Sequence, residues 1–202
     1  AAVAVPVSGR LGDLYGKRRV MLVCALILVA GSVVCALSST VGPMVVGRAM
    51  QGVGMGLVPL GISAMRDLIP AERLGSSIAL MSASMGIGGA LGLPLSAAVA
   101  EHADWRVLFW GGAVLGVVIF ALILTLIPDS PVSGHGRFDP IGAVGLGIGL
   151  ICLLLGFSKG ADWGWGSAET LGCLAAAVVV LVAWAAFELR QEYPLGDLRL
   201  AA

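Results

Sequence analysis

The stretch SGRLGDLYGKRRVMLVCALILVAGSVVCALS, residues 8–38, joins a cluster of charged residues to a long apolar run. Its first twelve residues hold four cations and one acid, and the next 19 hold no charge. A hydrocarbon core about 30 Å thick is crossed by roughly 20 helical residues. The apolar run is therefore long enough for a transmembrane helix, and the charged cluster predicts a turn at the membrane surface.

Five further apolar blocks follow, and the composition agrees with them. Hydrophobic residues make up 58% of the 202 residues and charged residues 12%, about half the charged fraction of an average soluble domain. The sequence therefore predicts an all-α, polytopic helical membrane protein and excludes a soluble fold. The predicted spans are Val20–Ser38, Pro43–Met65, Gly75–Ala100, Val107–Ile127, Pro140–Phe157 and Thr170–Leu189.

The two ends of the chain predict an internal part of a longer protein. Residues 1–9, AAVAVPVSG, are typical of the last turns of another span, and we predict no signal peptide there. Residues 192–202, EYPLGDLRLAA, are typical of a polar connector.

The distribution of cations predicts the orientation of the spans. Nine cations fall in connectors on one side, whereas Arg106 and Lys159 fall on the other. Because cytoplasmic loops carry an excess of Lys and Arg, we expect residues 8–19 on the cytoplasmic face of the cell (inner) membrane. Four tryptophans near the opposite ends of the spans support this, since indoles favour the interface. The nine cations are Arg10, Lys17, Arg18, Arg19, Arg66, Arg73, Arg137, Arg190 and Arg199.

The charged cluster, GRLGDLYGKRR at residues 9–19, resembles the loop G-x-L-a-D-r-x-G-r-k-r between helices 2 and 3 of the major facilitator superfamily. We expect Gly9 to permit close helix approach and Gly16 to permit a tight turn. Asp13 is expected to accept hydrogen bonds from a helix N-terminus or to pair with an arginine. The alternative is a solvated basic turn. The resemblance implies a cytoplasmic gate that latches two halves of a transporter, formed by Gly9, Arg10, Asp13, Gly16, Lys17, Arg18 and Arg19.

The stretch GRAMQGVGMG, residues 47–56, places a cation inside a predicted span. Arg48 lies about 8 Å from the outer interface, and Gln51 and Gly52 share its helix face. The stretch resembles the R-x-x-Q-G-x-G motif of helix 4 in the same superfamily. The resemblance implies an arginine that faces the central cavity and takes part in proton coupling. The alternative is that Arg48 extends its side chain to the outer interface.

The stretch SMGIGGALGLPLSAA, residues 84–98, predicts a helix face that another helix can approach closely. Small residues recur there at i+4 spacing: Ser84, Gly88, Gly92 and Ser96. Pro94 is expected to bend the outer third of the span. The stretch resembles the helix-5 antiporter motif, whose core is G-P-x-x-G-G, but Leu93 stands at the proline position and Ser96 and Ala97 replace the two glycines. Close packing without a coupling role is the alternative.

The last two apolar blocks, followed by the connector PLGDLRL, resemble the inserted helices of the fourteen-helix drug:proton antiporters. This resemblance implies four parts. Residues 1–127 belong to an N-terminal bundle from the end of helix 2 to helix 6, 128–139 form a cytoplasmic loop, 140–189 form two added linker helices, and 190–202 form a cytoplasmic connector. The role of the glycines in Pro140–Phe157 stays open between helix packing, a lipid-facing spacer and a partner surface.

These resemblances together imply a proton-coupled exporter of drugs or other lipophilic small molecules that works by alternating access. Every Asp and Glu lies in a loop or near a span end, so we expect the membrane acid required for proton coupling elsewhere in the protein. The expected partners are the lipid bilayer, protons, lipophilic substrates, and a first helix and second bundle of the same protein, without nucleic acid. No cofactor, metal site or enzymatic site is predicted. The alternatives are an inactive structural fragment and a transporter with another substrate or coupling mode.

Overall fold

The computed structural model describes residues 4–129 and 139–188, and these residues form helices and no strand. Six segments are long and apolar enough to cross a membrane, and their ends differ from the predicted blocks by at most six residues. The all-α prediction is therefore confirmed. The helices are α1 Ala4–Tyr15, α2 Lys17–Leu37, α3 Val41–Gly54, α4 Leu57–Leu68, α5 Ala71–His102, α6 Arg106–Leu126, α7 Pro140–Trp163 and α8 Ala168–Glu188.

The helices belong to two compact units, α1–α6 and α7–α8. Most of the predicted loop 128–139 and all of the predicted connector 190–202 lie outside the described residues, together with Arg137, Arg190 and Arg199. The predicted domain limits therefore stay predictions.

The turn between α1 and α2 consists of a single residue, Gly16. Because α1 continues to Tyr15 and α2 begins at Lys17, the prediction of a loop across residues 9–19 is wrong in its extent. Gly16 has a φ of 92°, a conformation that glycine adopts without the strain that a Cβ would bring. The predicted tight turn at Gly16 is confirmed, and one such residue is enough to turn the chain back along α1.

Helix α1 contacts α4 through small residues spaced one turn apart. Ser8 Oγ lies 3.4 Å from its acceptor, the Gly56 carbonyl oxygen, and a Cβ on Gly12 would overlap the side chain of Leu60. A Cβ on Gly9 would meet no atom within 4 Å. Within this unit Ser8 and Gly12 occupy the packed face, and Gly9 is about 100° away from Ser8 around the helix. No described residue makes the close approach expected at Gly9, so that expectation stays a prediction.

The second predicted span, Pro43–Met65, is interrupted by a turn at residues 55–56 that separates α3 from α4. Pro59 explains the interruption. Its nitrogen carries no hydrogen for the carbonyl of Met55, four residues earlier, and its ring crowds that carbonyl. The Met55 carbonyl accepts instead from the Val58 N–H at 3.4 Å, a tighter i+3 contact.

Close backbone contact between α2 and α3 forms the centre of the first unit. A Cβ on Gly31 would lie 2.8 Å from the Gly47 carbonyl oxygen, and a Cβ on Gly47 would lie 2.8 Å from the Gly31 carbonyl oxygen. Small residues at such a crossing let two helices approach where the lipid supplies no hydrophobic drive between them. Cys35 and Ala36 of α2 then pack against Phe109 of α6 in a buried cluster.

Helix α7 begins at a well-formed cap. Asp139 Oδ1 accepts from the backbone N–H groups of Ile141 and Gly142, both at 3.0 Å. Pro140 occupies the first helical position, where a missing N–H costs no helical hydrogen bond. The start of this span is therefore fixed by local sequence.

The glycines of α7 form the face that packs on α8. A Cβ on Gly149 would lie 2.5 Å from Leu181 Cδ2, and a Cβ on Gly156 would lie 2.8 Å from Leu174 Cδ2. Larger side chains such as Ile141, which is 69% exposed, lie on the outside of the pair. Of the three roles left open for these glycines, the structure supports helix packing.

Candidate functional site

Lys17 lies buried at the start of α2 and binds the end of α4. Its Nζ donates to Asp67 Oδ2 at 2.5 Å and to the Ser63 carbonyl oxygen at 3.2 Å. The Lys17 side chain is 8% exposed and that of Asp67 39%. Because α4 ends at Leu68, the cation meets the negative end of a helix dipole as well as a carboxylate. Asp67 was not predicted from the sequence as a partner of the charged cluster.

Arg18 makes the corresponding contact with the end of α6. Its Nη1 donates to Asp129 Oδ1 at 2.7 Å, and its Nη2 donates to the Leu124 carbonyl oxygen at 2.8 Å. Leu124 lies in the last turn of α6, where carbonyl groups have no helical donor. Successive cations at the positive N-terminus of α2 are unfavourable in themselves, and these contacts with two helix C-termini offset that cost. The start of α2 therefore fastens the ends of both α4 and α6.

The Arg18 contact predicts how Asp129 titrates. The hydrogen bond and charge of Arg18 hold the pKa of the Asp129 carboxyl below its usual range, with a smaller contribution from Arg19. Because this pKa is lowered by folding, the contact stabilises the fold fully above about pH 4 and is lost as the pH falls through the lowered pKa. We expect Arg18→Met to return the pKa of Asp129 towards its usual range, measured by NMR titration of ¹³C-labelled aspartate.

The matched control is Arg19→Met, which removes a neighbouring cation without removing a hydrogen bond to Asp129. It should move the pKa of Asp129 much less than Arg18→Met does. Equal shifts in the two variants would contradict a specific Arg18–Asp129 contact.

The other charged residues of the predicted gate make no comparable contact within residues 4–129. Asp13 is half-buried, and in that range it accepts no hydrogen bond from a helix N-terminus and forms no ion pair with an arginine. The Nε atom of Arg10 is buried and likewise has no hydrogen-bond partner there. Arg19 is exposed. The gate is thus divided into Lys17 and Arg18, which bind within the unit, and Asp13 and Arg10, which are available to other groups.

A chain of hydrogen bonds joins Arg48 on α3 to α2. Arg48 Nη1 donates to Gln51 Oε1 at 3.3 Å, and Gln51 Nε2 donates to Ser32 Oγ at 2.9 Å. Ser32 Oγ donates in turn to the Leu28 carbonyl oxygen at 2.9 Å, so its oxygen is left to accept from the glutamine amide. The predicted pair Arg48 and Gln51 therefore lies together, with Gly52 half-buried next to it.

Phe109 of α6 contacts the same arginine from another direction. The Arg48 Cζ atom lies 4.8 Å from the centre of the Phe109 ring, within the range of a cation–π interaction. Neither Phe109 nor Ser32 was predicted from the sequence to contact Arg48. A phenylalanine in an apolar run carries no mark of an arginine partner, so no sequence signal pointed to Phe109.

The predicted face of small residues on α5 is open in this unit. Its members Ser84, Gly88 and Ser96 are exposed and Gly92 is half-buried, and α5 has no buried residue among those described. A Cβ on Gly88 or Gly92 would meet no described atom within 4 Å. Helix α5 also continues without interruption through Pro94. No described helix makes the close approach that the spacing predicts, so its role stays a prediction.

The chain is similar in sequence to known membrane proteins over nearly its whole length. The model of the family described as Major Facilitator Superfamily matches residues 1–188. The chain is 26% identical over 193 residues to multidrug resistance protein 3 of Bacillus subtilis, covering 95% of the chain and 38% of that protein. It is 30% identical over 201 residues to the tetracenomycin C resistance and export protein of Streptomyces glaucescens, covering 98% of the chain and 37% of that protein. The chain thus spans less than two fifths of the length of these relatives.

Proposed function

Because the chain belongs to the Major Facilitator Superfamily, we propose that the complete protein is a secondary active transporter that exports drugs or other lipophilic small molecules by alternating access. The names of the two relatives, one for multidrug resistance and one for export of tetracenomycin C, support this substrate class. The protein is a multi-pass membrane protein, which we place in the cell (inner) membrane with residues 8–19 in the cytoplasm. Its activity is transport rather than enzymatic catalysis.

The observation that carries the proposal is the charge of Arg48 inside an apolar span. An arginine inside a membrane helix is costly, up to about 2.5–3.5 kcal/mol at the centre of the span, so the presence of Arg48 favours a functional role over a structural one. The guanidinium is exposed in this unit and is bonded to Gln51, which lies three residues further from the outer end of the span. The bond to Gln51 supports a position facing a central cavity.

The start of α2 is the proposed cytoplasmic gate. Lys17 and Arg18 hold the ends of α4 and α6 together, so the helices of this unit can move as one body. Asp13 and Arg10 have polar atoms that a second bundle can bind when the gate is closed and release when it opens. In this scheme the antiporter-like face of α5 packs against helices outside residues 4–129 and takes part in proton coupling.

The proposal is tested by reconstituting the complete protein in liposomes with ethidium as the transported dye. A pH gradient should drive dye movement that a protonophore abolishes. Dye movement no faster than in protein-free liposomes would contradict transport. Movement that is insensitive to the pH gradient would contradict proton coupling and favour another coupling mode, which the departures of α5 from the antiporter motif leave as the main alternative.

In the same assay, Arg48→Lys is expected to lower the pH-driven efflux rate about tenfold, equivalent to about 1.4 kcal/mol of barrier. An ammonium lacks the planar fork of donors with which arginine binds Gln51 while lying over Phe109. Arg73→Lys, at an exposed position in the first turn of α5, is the matched control and should transport normally. Full transport by Arg48→Lys would count against a coupling role.

A further inference from the structure

The guanidinium of Arg48 is held from two sides by two different helices. Through Gln51 it is bonded to Ser32 of α2, which is 1% exposed. Through the ring of Phe109 it contacts α6 at 4.8 Å. The two contacts come from different directions and differ in chemistry, so together they restrict both the depth and the orientation of the charged group.

The ring of Phe109 has a position that does not depend on the arginine. It is 9% exposed and packs in the cluster with Cys35 and Ala36. It also meets Trp105 edge to face, with ring centres 5.7 Å apart and planes at 89°, a favoured aromatic geometry. Because these contacts fix the ring without Arg48, its face is a preformed site for a cation.

We propose that Phe109, whose ring face holds the guanidinium against α6 and limits the contact of the charged group with water, is a positioning residue for Arg48. A long cationic side chain in a membrane helix otherwise moves its charged group to the nearest interface. This inference rests on the proposed function for its significance, because a coupling arginine must stay in the cavity. The location of the guanidinium itself is measurable without any transport.

The test measures how fast Arg48 reacts with a charged, membrane-impermeant phenylglyoxal, which modifies arginine. The reagent is added outside liposomes that contain the complete protein, and the adduct at Arg48 is quantified by mass spectrometry. Phe109→Leu keeps an apolar side chain but removes the ring face. We expect it to raise the modification rate about twofold to thirtyfold, the range that corresponds to the loss of a cation–π contact. Phe109→Tyr keeps the ring and should react at the wild-type rate.

Phe120→Leu is the matched control, because it makes the same change on the same helix at a residue that packs against the other apolar cluster. It should leave the Arg48 rate unchanged. A wild-type rate in Phe109→Leu, or an equal increase in Phe120→Leu, would overturn the positioning role. If Phe109→Leu does not fold, Ser32→Ala removes the second anchor, and a wild-type Arg48 rate in that variant would overturn the two-sided restraint.

Failure of the proposed transport function and failure of the positioning role of Phe109 give different results. Absence of dye transport by the wild-type protein overturns the proposed function, whatever the reactivity of Arg48. Unchanged reactivity of Arg48 in a protein that transports dye overturns only the role of Phe109.

Discussion

Replacing Gly47 with alanine is expected to lower the unfolding temperature sharply or to prevent the accumulation of folded protein. A Cβ at this position would lie 2.5 Å from Cys35 Sγ, 2.8 Å from the Gly31 carbonyl oxygen and 3.0 Å from the Cys35 backbone nitrogen. Two of these atoms belong to the backbone of α2, so no side-chain rotation can relieve the overlap. Overpacking costs about 1–3 kcal/mol, and we expect the upper end of that range.

The measurement is the temperature at which half of the monodisperse peak is lost in size-exclusion chromatography after heating in detergent. Gly42→Ala is the matched control on the same helix, because its Cβ would meet nothing within 4 Å. It should be neutral or slightly stabilising, since alanine has the higher helix propensity. Similar unfolding temperatures for the two variants would contradict the close contact between α2 and α3.

Replacing Asp67 with alanine should cause the second large loss of stability. We expect this loss to be larger than the loss caused by replacing Lys17. The Lys17 side chain is 8% exposed in the folded protein, and without Asp67 its cation has only the Ser63 carbonyl as a partner. Removal of one partner from a buried ion pair costs about 3–5 kcal/mol. Because Asp67 is partly exposed, we expect about 2 kcal/mol for Asp67→Ala. We also expect a lower efflux rate, since the ends of α2 and α4 are no longer fastened.

A double-mutant cycle tests this ion pair. Lys17→Met combined with Asp67→Ala should be more stable than Asp67→Ala alone, because the unpaired buried charge is removed as well. The control is Lys159→Met, which breaks an exposed ion pair of 2.9 Å with Asp162 and should change stability by less than about 0.5 kcal/mol. Additive effects in the cycle, or a loss at Lys159 as large as at Asp67, would contradict the importance of burial.

The spans were predictable from the sequence because a membrane helix is specified by a local property, the length of an apolar run. The interruption between α3 and α4 was not predicted, since hydropathy is continuous across residues 55–59. Pro59 was the available signal. Likewise, the tight turn at Gly16 followed from a local conformational need, whereas Gly12 and Gly9 differ only in which face of α1 they occupy, and that depends on where α4 lies.

Of the candidate site, the sequence predicted the residues of the motifs but not the residues that contact them. The partners of these residues lie far along the chain, with Asp67 50 positions from Lys17 and Asp129 111 positions from Arg18. No local pattern connects such pairs, because they are brought together by the packing of α2 against α4 and α6. Phe109 is a similar case, since its ring serves both the core and Arg48. Tertiary structure was needed to distinguish the residues that bind within the unit from those that stay available.

The pairing of α7 with α8 determines the side of the membrane from which a following segment of the chain would enter. A Cβ added to Gly142, near the start of α7, would lie 2.9 Å from Glu188 Oε2 at the end of α8, so the chain returns to the level at which it entered. Because the pair crosses the membrane twice, the chain ends on the side from which it entered. Any segment joined after the pair therefore enters the bilayer from the same side as it would without the pair. A self-packed insert of this kind can be gained or lost between halves of a protein without inverting the half that follows.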